Sequence, residues 1–301
     1  MPSIKIPSYW KELAEDIHQV KGVVMVVGAS NTGKTTLANY LAKEFYKRGN
    51  RVSFISADMG QCAFGPPATI SMAILESVPK SLIDIPIHSM YFVGSTSPVG
   101  HLLQTMVGVK KLVDRSFQDG AQVVIVDTTG LVSGGAAWEL KFHKIELTDA
   151  RCIVALQRAH ELEDILLPQE RRGGRKLYRL PVFEQTKVRS YEQRRAYRQQ
   201  RYEDYFRNAS AKSSSLKNIC LVNPHYRAIQ KGERDAFKRL LVGLNDDENF
   251  STALGIVEDI DLKKGRIRLL TPLEALRGVR FIRLGSVKIE DDWSDSRVRF
   301  V

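Results

Sequence analysis

A short stretch near the start of the chain has the residue types and spacing to hold a row of phosphate groups. Gly28 to Thr36 read Gly-Ala-Ser-Asn-Thr-Gly-Lys-Thr-Thr, which fits the pattern of a glycine, four residues and then Gly-Lys-Ser/Thr. In such loops backbone N–H groups surround the phosphates, the lysine reaches the terminal phosphates and the Ser/Thr hydroxyl ligates Mg²⁺. We therefore predict a nucleotide site in which Lys34 is also catalytic. Its binding residues are Gly28, Ser30, Asn31, Thr32, Gly33, Lys34, Thr35 and Thr36.

The segments that flank this loop predict its place in the fold. Residues 23–27 form a continuous apolar run, which is typical of a strand buried on both faces. Residues 37–45 carry apolar side chains at helical spacing and are followed by Gly49, a common helix stop. A loop between a strand and a helix gains the positive potential of the helix N-terminus. The alternative, a glycine turn with a chance Lys-Thr, is disfavoured by this context.

Two aspartates follow apolar, strand-like runs. Asp58 ends the run over residues 51–57, and Asp127 ends the run over residues 123–126. Ligands of open α/β sheets bind at the carboxyl ends of the strands. One carboxylate could ligate Mg²⁺ together with Thr35, and the other could accept the proton of an attacking hydroxyl; the residues leave this assignment open. Either aspartate alone could instead cap a strand end.

Gln61 lies just beyond Asp58. Glutamines near the phosphates position the attacking group in other nucleotide-hydrolysing proteins, so we predict a catalytic role for Gln61. The sequence contains no Asn-Lys-x-Asp tetrapeptide, the pattern that reads guanine. ATP is therefore favoured over GTP, and the predicted cofactors are ATP and Mg²⁺.

The positive charge of the chain is concentrated in one segment. The net charge is +11, and between Arg171 and Arg201 there are eleven lysines and arginines but only two glutamates. A focused basic segment attracts polyanions, although a merely solvated basic surface is the alternative. Residues 190–208 have a helical pattern that places several arginines on one face. These are Arg194, Arg198 and Arg201, and arginines over a transferred phosphate would stabilise its charge.

Strand-like and helix-like segments alternate through the first half of the chain, which predicts a doubly wound, mostly parallel α/β sheet. Further strands are predicted over 90–94 and 152–156, helices over 8–20, 102–118, 136–145 and 160–167, and a turn-rich stretch over 168–175. Small polar residues over 209–215 predict a linker. Short β-like segments follow it, over 218–223, 239–244, 253–260, 265–270 and 279–289. We predict an N-terminal helix within 1–20, a phosphate-binding domain over 21–212 and a small β-rich domain over 213–301.

The composition gives expectations about the environment of the chain. No apolar run approaches the roughly 20 residues that span a membrane, and the first residues lack the apolar core of a secretion signal. Cys62, Cys152 and Cys220 are far apart, so neither a zinc site nor a disulfide framework is indicated. We expect a cytoplasmic protein, nuclear if eukaryotic, with no membrane partner.

The motifs together resemble the polynucleotide 5′-hydroxyl kinases, the RNA 5′-kinases of the cleavage-factor and rRNA-processing type and their archaeal relatives. The similarity covers roughly residues 20–290. It rests on ordered segments, namely Gly28–Thr36, Asp58–Gln61, Gly65–Ile70, Tyr91–Pro98 and Asp127–Gly130. The phosphate loop alone is generic, whereas the ordered set is specific. The resemblance implies a fold of the P-loop NTPase type.

The resemblance also implies an activity, the transfer of the γ-phosphate of ATP to the 5′-hydroxyl of single-stranded RNA or DNA. By position, Asp58 resembles the residue that activates the hydroxyl. The Arg194/Arg198 pair resembles a lid over the phosphates, so the resemblance implies that both arginines are catalytic. The loop with Thr96 and Ser97 resembles the segment that holds the acceptor, to which we add Arg195 as an acceptor contact.

Two departures from the family pattern keep the roles of the aspartates open. Asn often stands at the position of Asp127, and Ser56 replaces an acidic residue of the family. Two other functions also remain compatible with the sequence. One is a catalytically silent, ATP-bound scaffold of an RNA-processing complex, and the other is a nucleic-acid-stimulated ATPase.

Overall fold

The computed structural model describes residues 6–222 and 234–298. The chain forms two compact units, neither of which is contiguous in sequence. The first unit comprises Met1–Asp58, Ser71–His88 and Pro98–Arg189, and the second comprises Met59–Ile70, Ser89–Ser97 and Ser190–Val301. The domain boundaries predicted at residues 20 and 212 remain predictions.

The first unit is built around a mostly parallel sheet. Its strands are β1 (Gly22–Gly28), β2 (Val52–Ala57), β3 (Thr69–Ile74, of which 71–74 belong to this unit), β5 (Val123–Thr128), β6 (Cys152–Gln157) and β7 (Lys176–Pro181); β4 (Ser89–Phe92) belongs to the second unit. They lie in the order β3-β2-β5-β1-β6-β7, with only β3 antiparallel to its neighbour. Strands β1, β2, β5 and β6 are almost wholly buried, as expected of parallel strands covered on both faces.

The helices of the first unit connect these strands. They are α1 (Ser8–Asp16), α2 (Lys34–Lys47), α3 (Leu102–Gln118), α4 (Gly135–Leu147) and α5 (Glu163–Arg172). The predicted alternation of strands and helices is confirmed, and with it the doubly wound α/β fold class. Within the described residues, no helix combines the length and apolar character needed to cross a bilayer.

For the first unit the sequence analysis missed two strands, and one local prediction is wrong. Strands β3 and β7 were not predicted, and the stretch predicted as turn-rich over 168–175 is helical as far as Arg172. Pro168 lacks the N–H that would bond to the carbonyl of Asp164. The indole N–H of Trp138 donates to that carbonyl instead, at 3.2 Å. This substitute partner explains how the helix passes through a proline.

The second unit contains a second sheet, which is mainly antiparallel. Its strands are β8 (Ser210–Ser215), β9 (Cys220–Val222), β10 (Leu240–Asn245), β11 (Ser251–Asp261), β12 (Arg266–Thr271), β13 (Phe281–Ile289) and β14 (Asp295–Arg297), and its helices are α6 (Tyr191–Phe206) and α7 (Arg234–Phe237). The order is β14-β13-β10-β11-β12-β8, with β9 parallel to β13. The predicted β-rich character of this part is confirmed. Residue 223 of the predicted segment 218–223 lies outside the described residues.

The predicted linker over 209–215 is wrong. Ser210–Ser215 form the edge strand β8, which pairs along its whole length with β12. Most of its side chains are exposed, so the strand is stabilised by backbone hydrogen bonds rather than by apolar burial. A strand of this kind lacks the alternating apolar pattern by which strands are predicted.

Helix α6 matches the prediction of a basic helix over 190–208. It begins with a capping box, in which the Ser190 hydroxyl accepts from the Gln193 backbone and the Gln193 side chain accepts from the Ser190 backbone. Tyr202 and Phe206 anchor its far end in a buried cluster with Phe92 and other apolar side chains of the second unit. The apolar anchor leaves the polar face of the first three turns available for other contacts.

Candidate active site

The predicted phosphate loop lies between β1 and α2. Gly33 is the N-cap of α2 and has a φ of 87°, a left-handed conformation that favours glycine. The Thr32 hydroxyl donates to the carbonyl of Ala29 at 2.9 Å, and Lys34 Nζ donates to the same carbonyl at 2.7 Å. The Lys34 side chain thus folds back over the loop, and the first N–H groups of α2 face the same region. Ser30, Asn31 and Thr36 complete the segment.

Asp127 is bonded to this loop. The Thr35 hydroxyl donates to Asp127 Oδ2 at 2.6 Å. Asp127 is fully buried, and burial raises the pKa of its carboxyl to about 6 against the opposing charge of Lys34. Its other oxygen, Oδ1, has no hydrogen-bond partner among the described residues. A buried carboxylate with a spare oxygen beside a hydroxyl is the hard-oxygen donor set that Mg²⁺ prefers, so these residues fit the predicted cation.

The turn that follows Asp127 packs directly on the phosphate loop. A Cβ on Gly130 would lie 2.7 Å from the backbone nitrogen of Ser30, so only glycine permits this approach. The Thr128 hydroxyl donates to the carbonyl of Val26 in the neighbouring strand at 2.8 Å. These contacts fix the turn, and therefore Asp127, relative to the loop.

Asp58 lies at the carboxyl end of β2, beside β5. Its negative charge acts on Asp127, raising the pKa of that carboxyl, and on two buried lysines of α4. The structure thus brings Lys34, Thr35, Asp58 and Asp127 together at one edge of the sheet. Two of the predicted catalytic residues and all of the predicted metal ligands belong to this group, while their individual roles remain predictions.

The buried lysines are Lys141 and Lys144, which sequence reasoning missed. Both are fully buried. Lys141 Nζ donates to the Thr128 hydroxyl at 2.7 Å and to the Thr129 carbonyl at 2.5 Å. Lys144 Nζ has no hydrogen-bond partner among the described residues. The sequence held a signal for these lysines, because both interrupt an apolar helix face. The structure shows that this buried face of α4 consists of Ala137, Leu140 and Ile145 together with the two lysines.

The remaining predicted site residues lie in the second unit. Gln61 Nε2 donates to the carbonyl of Arg194 at 3.3 Å, so the loop after Asp58 contacts helix α6. Two hydrogen bonds from α6 also hold this loop. The Tyr197 hydroxyl donates to the Cys62 carbonyl and the Arg201 guanidinium donates to the Gly65 carbonyl, both at 2.7 Å. The guanidinium of Arg198 pairs with Asp295, a residue that sequence reasoning missed.

The predicted acceptor residues are distributed around the same unit. The Thr96 hydroxyl donates to Asp295 at 3.4 Å, and the Ser97 backbone donates to the Ser95 hydroxyl at 3.2 Å. Arg195 is exposed, and its charge helps to lower the pKa of Asp292, after the hydrogen bonds from Ser294. The structure therefore brings Thr96 and Arg198 together through Asp295, whereas Arg195 makes no such contact with this carboxylate among the described residues.

The basic segment is less uniform than its sequence suggests. Arg172 and Arg175 pair with Glu146, and Arg179 pairs with Glu163 and Glu170. These three arginines hold elements of the first unit together. The polyanion contacts predicted for this segment are therefore better suited to its later part, in α6, and they remain a prediction. In the first unit the backbone of Arg189 and the guanidinium of Arg158 both donate to Asn31 of the phosphate loop.

Comparison with known proteins identifies the relatives of this chain. A sequence model of the family described as "mRNA cleavage and polyadenylation factor CLP1 P-loop" matches residues 28–208. The polyribonucleotide 5′-hydroxyl-kinase of Methanocaldococcus jannaschii is 31% identical over 89% of this chain and 87% of its own length. That of Pyrococcus abyssi is 33% identical over 89% and 88%, respectively.

A solved structure supports the fold. The wild-type Clp1p–Pcf11p complex superposes with a TM-score of 0.67 at 15% identity, covering 93% of this chain and 79% of that chain. At this identity the likeness concerns the fold alone. The resemblance drawn from the ordered motifs is confirmed by the family match and by the curated relatives. The chain belongs to the P-loop family of the cleavage and polyadenylation factor CLP1 and the polyribonucleotide 5′-hydroxyl-kinases.

Proposed function

We propose that this chain is an ATP-dependent polynucleotide 5′-hydroxyl kinase, which transfers the γ-phosphate of ATP to the 5′-hydroxyl of a single-stranded RNA or DNA end. The observation that carries the proposal is the bond from Thr35 to the buried Asp127 beside Lys34. It occurs in a chain whose curated relatives are named polyribonucleotide 5′-hydroxyl-kinases. Those names favour RNA as the acceptor.

The contacts suggest how the roles of the two aspartates divide. Asp127 accepts from the Thr35 hydroxyl and has a spare buried oxygen, so Thr35 and Asp127 are the residues that would hold Mg²⁺. When bound, the cation would neutralise charge on the phosphates of ATP. Asp58 is then the residue left to accept the proton of the acceptor hydroxyl. The backbone of residues 28–36 would surround the phosphates of bound ATP, and Lys34 would reach the terminal ones.

The proposed step conserves atoms and charge. The 5′-hydroxyl oxygen forms a bond to the γ-phosphorus while the bond between that phosphorus and the β–γ bridging oxygen breaks. The hydroxyl proton passes to a carboxylate oxygen of Asp58, and ADP leaves with the bonding electron pair. Lys34, Arg194 and Arg198 offset the negative charge that spreads over the transferred group.

The other residues orient the reactants. Gln61 would position the attacking hydroxyl, and its side chain is already fixed by bonds to the carbonyls of Gly60 and Arg194. Thr96, Ser97 and Arg195 would hold the 5′ end of the acceptor. Holding a hydroxyl in line with a phosphate supplies much of the rate in reactions of this class, because they need little covalent chemistry from the protein.

The test is a transfer assay with γ-labelled ATP and a 5′-hydroxyl oligonucleotide, using RNA and DNA of the same sequence. Label on the oligonucleotide is expected. Release of free phosphate alone would support a nucleic-acid-stimulated ATPase, and neither product would support a silent ATP-bound scaffold; both results contradict the proposal.

Variants then test the assigned roles. Lys34→Ala and Asp58→Ala should each abolish transfer, whereas Lys47→Ala, an exposed lysine of the same helix, should not. Near-normal transfer by Asp58→Ala would remove Asp58 as the base.

Arg198→Ala should slow turnover more than it weakens ATP binding, and unchanged turnover would argue against a lid.

A further inference from the structure

One carboxylate of the second unit contacts two segments that sequence reasoning assigned to different tasks. Asp295 Oδ1 accepts from Arg198 Nε at 2.9 Å, and Asp295 Oδ2 accepts from the Thr96 hydroxyl at 3.4 Å. The Asp295 side chain is only 8% exposed and that of Arg198 only 13%. An ion pair this far from solvent is weakly screened, and removing one partner leaves the other charge buried and uncompensated.

The position of this carboxylate is fixed by its surroundings. Strand β14 places Asp295 opposite Ile289, a fully buried residue of β13. The turn between these strands is attached to α6 at two points: Gln199 Nε2 donates to the Asp292 carbonyl at 2.6 Å, and the Trp293 ring stacks on Phe206. The strand pairing and these two contacts therefore fix the position of the carboxylate relative to Arg198.

The contacts of Arg198 restrict the orientation of its guanidinium. Nε is bonded to Asp295, and Nη1 donates to the Arg194 carbonyl at 3.4 Å. Among the described residues Nη2 makes no hydrogen bond. Because a guanidinium is planar and rigid, fixing two of its nitrogens also fixes the direction of the third. Nη2 is then the nitrogen of this guanidinium that could still donate to an anionic oxygen.

We propose that Asp295 is a positioning residue for phosphoryl transfer, which fixes the guanidinium of Arg198 and anchors Thr96 of the predicted acceptor loop on the same carboxylate. The inference rests on the proposed kinase function. It links, within the second unit, the arginine proposed to stabilise the phosphate to the loop proposed to hold the acceptor. Such a link would limit the movement of Thr96 relative to Arg198, and small errors in the alignment of reactants lower the rate by large factors.

The test is a double-mutant cycle measured in the label-transfer assay. Asp295→Ala is expected to lower kcat about tenfold or more and to raise KM for the oligonucleotide, while ATP affinity stays within about twofold, because Lys34, Thr35 and Asp127 keep their contacts. In an Arg198→Ala background the same change should lower kcat by less than about threefold, since the arginine to be positioned is already gone. Asp295→Asn, which retains an acceptor oxygen, should give an intermediate kcat.

The control is Asp291→Ala, which removes a fully exposed carboxylate from the same turn and should leave kcat unchanged. A wild-type chain that labels no oligonucleotide would refute the kinase proposal and this inference with it. A wild-type chain that labels RNA, together with Asp295→Asn and Asp295→Ala variants of normal kcat, would refute the inference alone. So would equal fold-losses from Asp295→Ala with and without Arg198, because the effect of Asp295 on kcat would then not be transmitted through the arginine.

Discussion

Replacement of Lys144 by methionine should stabilise the protein. The Lys144 ammonium is fully buried and has no hydrogen-bond partner among the described residues. Burial lowers its pKa from 10.5 to about 8, with the charge of Asp58 opposing part of that effect. Because the pKa is lower in the folded state, the unfolded chain binds the proton more tightly. Stability should therefore increase as the pH rises from about 8 toward 10.5.

The size of the effect follows from the shift. A difference of about 2.5 pKa units corresponds to about 3 kcal/mol at 1.36 kcal/mol per unit, and this penalty is present in full only well below pH 8. Methionine has a similar length and no charge to desolvate. Lys144→Met should thus raise the free energy of unfolding at pH 7 by about 1–3 kcal/mol, the upper limit being reduced by the lost attraction to Asp58.

The assay is chemical denaturation of wild type and Lys144→Met at several pH values between 7 and 10. The difference between the two proteins should shrink by about 2 kcal/mol across this range, because the wild type progressively loses the buried charge. Lys47→Met, at an exposed position, should differ from wild type by less than about 0.5 kcal/mol at every pH. A Lys144→Met variant that is less stable than wild type at pH 7, or a difference that does not change with pH, would refute the reasoning.

Three further predictions concern the contacts of the first unit. Gly130→Ala should weaken ATP binding at least tenfold in a calorimetric titration, because its Cβ would lie 2.7 Å from the Ser30 nitrogen and displace the phosphate loop; unchanged affinity would contradict this packing. Asp127→Asn should raise the Mg²⁺ concentration for half-maximal transfer at least tenfold, since the amide can still accept from Thr35 but has lost its charge; an unaltered Mg²⁺ titration would exclude Asp127 as a ligand. Arg179→Met should lower the free energy of unfolding by only about 0.5–1 kcal/mol, because its pairs with Glu163 and Glu170 are partly exposed, and this loss should diminish at 1 M salt in thermal denaturation.

The parts of the site that the sequence predicts are those fixed by local backbone geometry. The phosphate loop needs a glycine with positive φ at the start of α2, a lysine and a hydroxyl, all within one segment, and these residues lie as predicted. The strands before Asp58 and Asp127 are apolar because both faces are covered, so their ends could also be located. Strands β7 and β8 escaped prediction because they are edge strands with mostly half-buried or exposed side chains.

The residues that escaped prediction are those whose partners are distant in sequence. Apolar periodicity indicates which face of a strand is buried, but not which strand pairs with it or in what register. The segment 279–289 could be predicted as β-structure, yet only its pairing with β14 places Asp295 where the carboxylate reaches Arg198. Moving that register by one residue would turn the carboxylate to the opposite face of the sheet and separate it from the arginine. A pairing that depends so strongly on register cannot be inferred from either segment alone, and this is why the contact between Asp295 and Arg198 is found only in the folded chain.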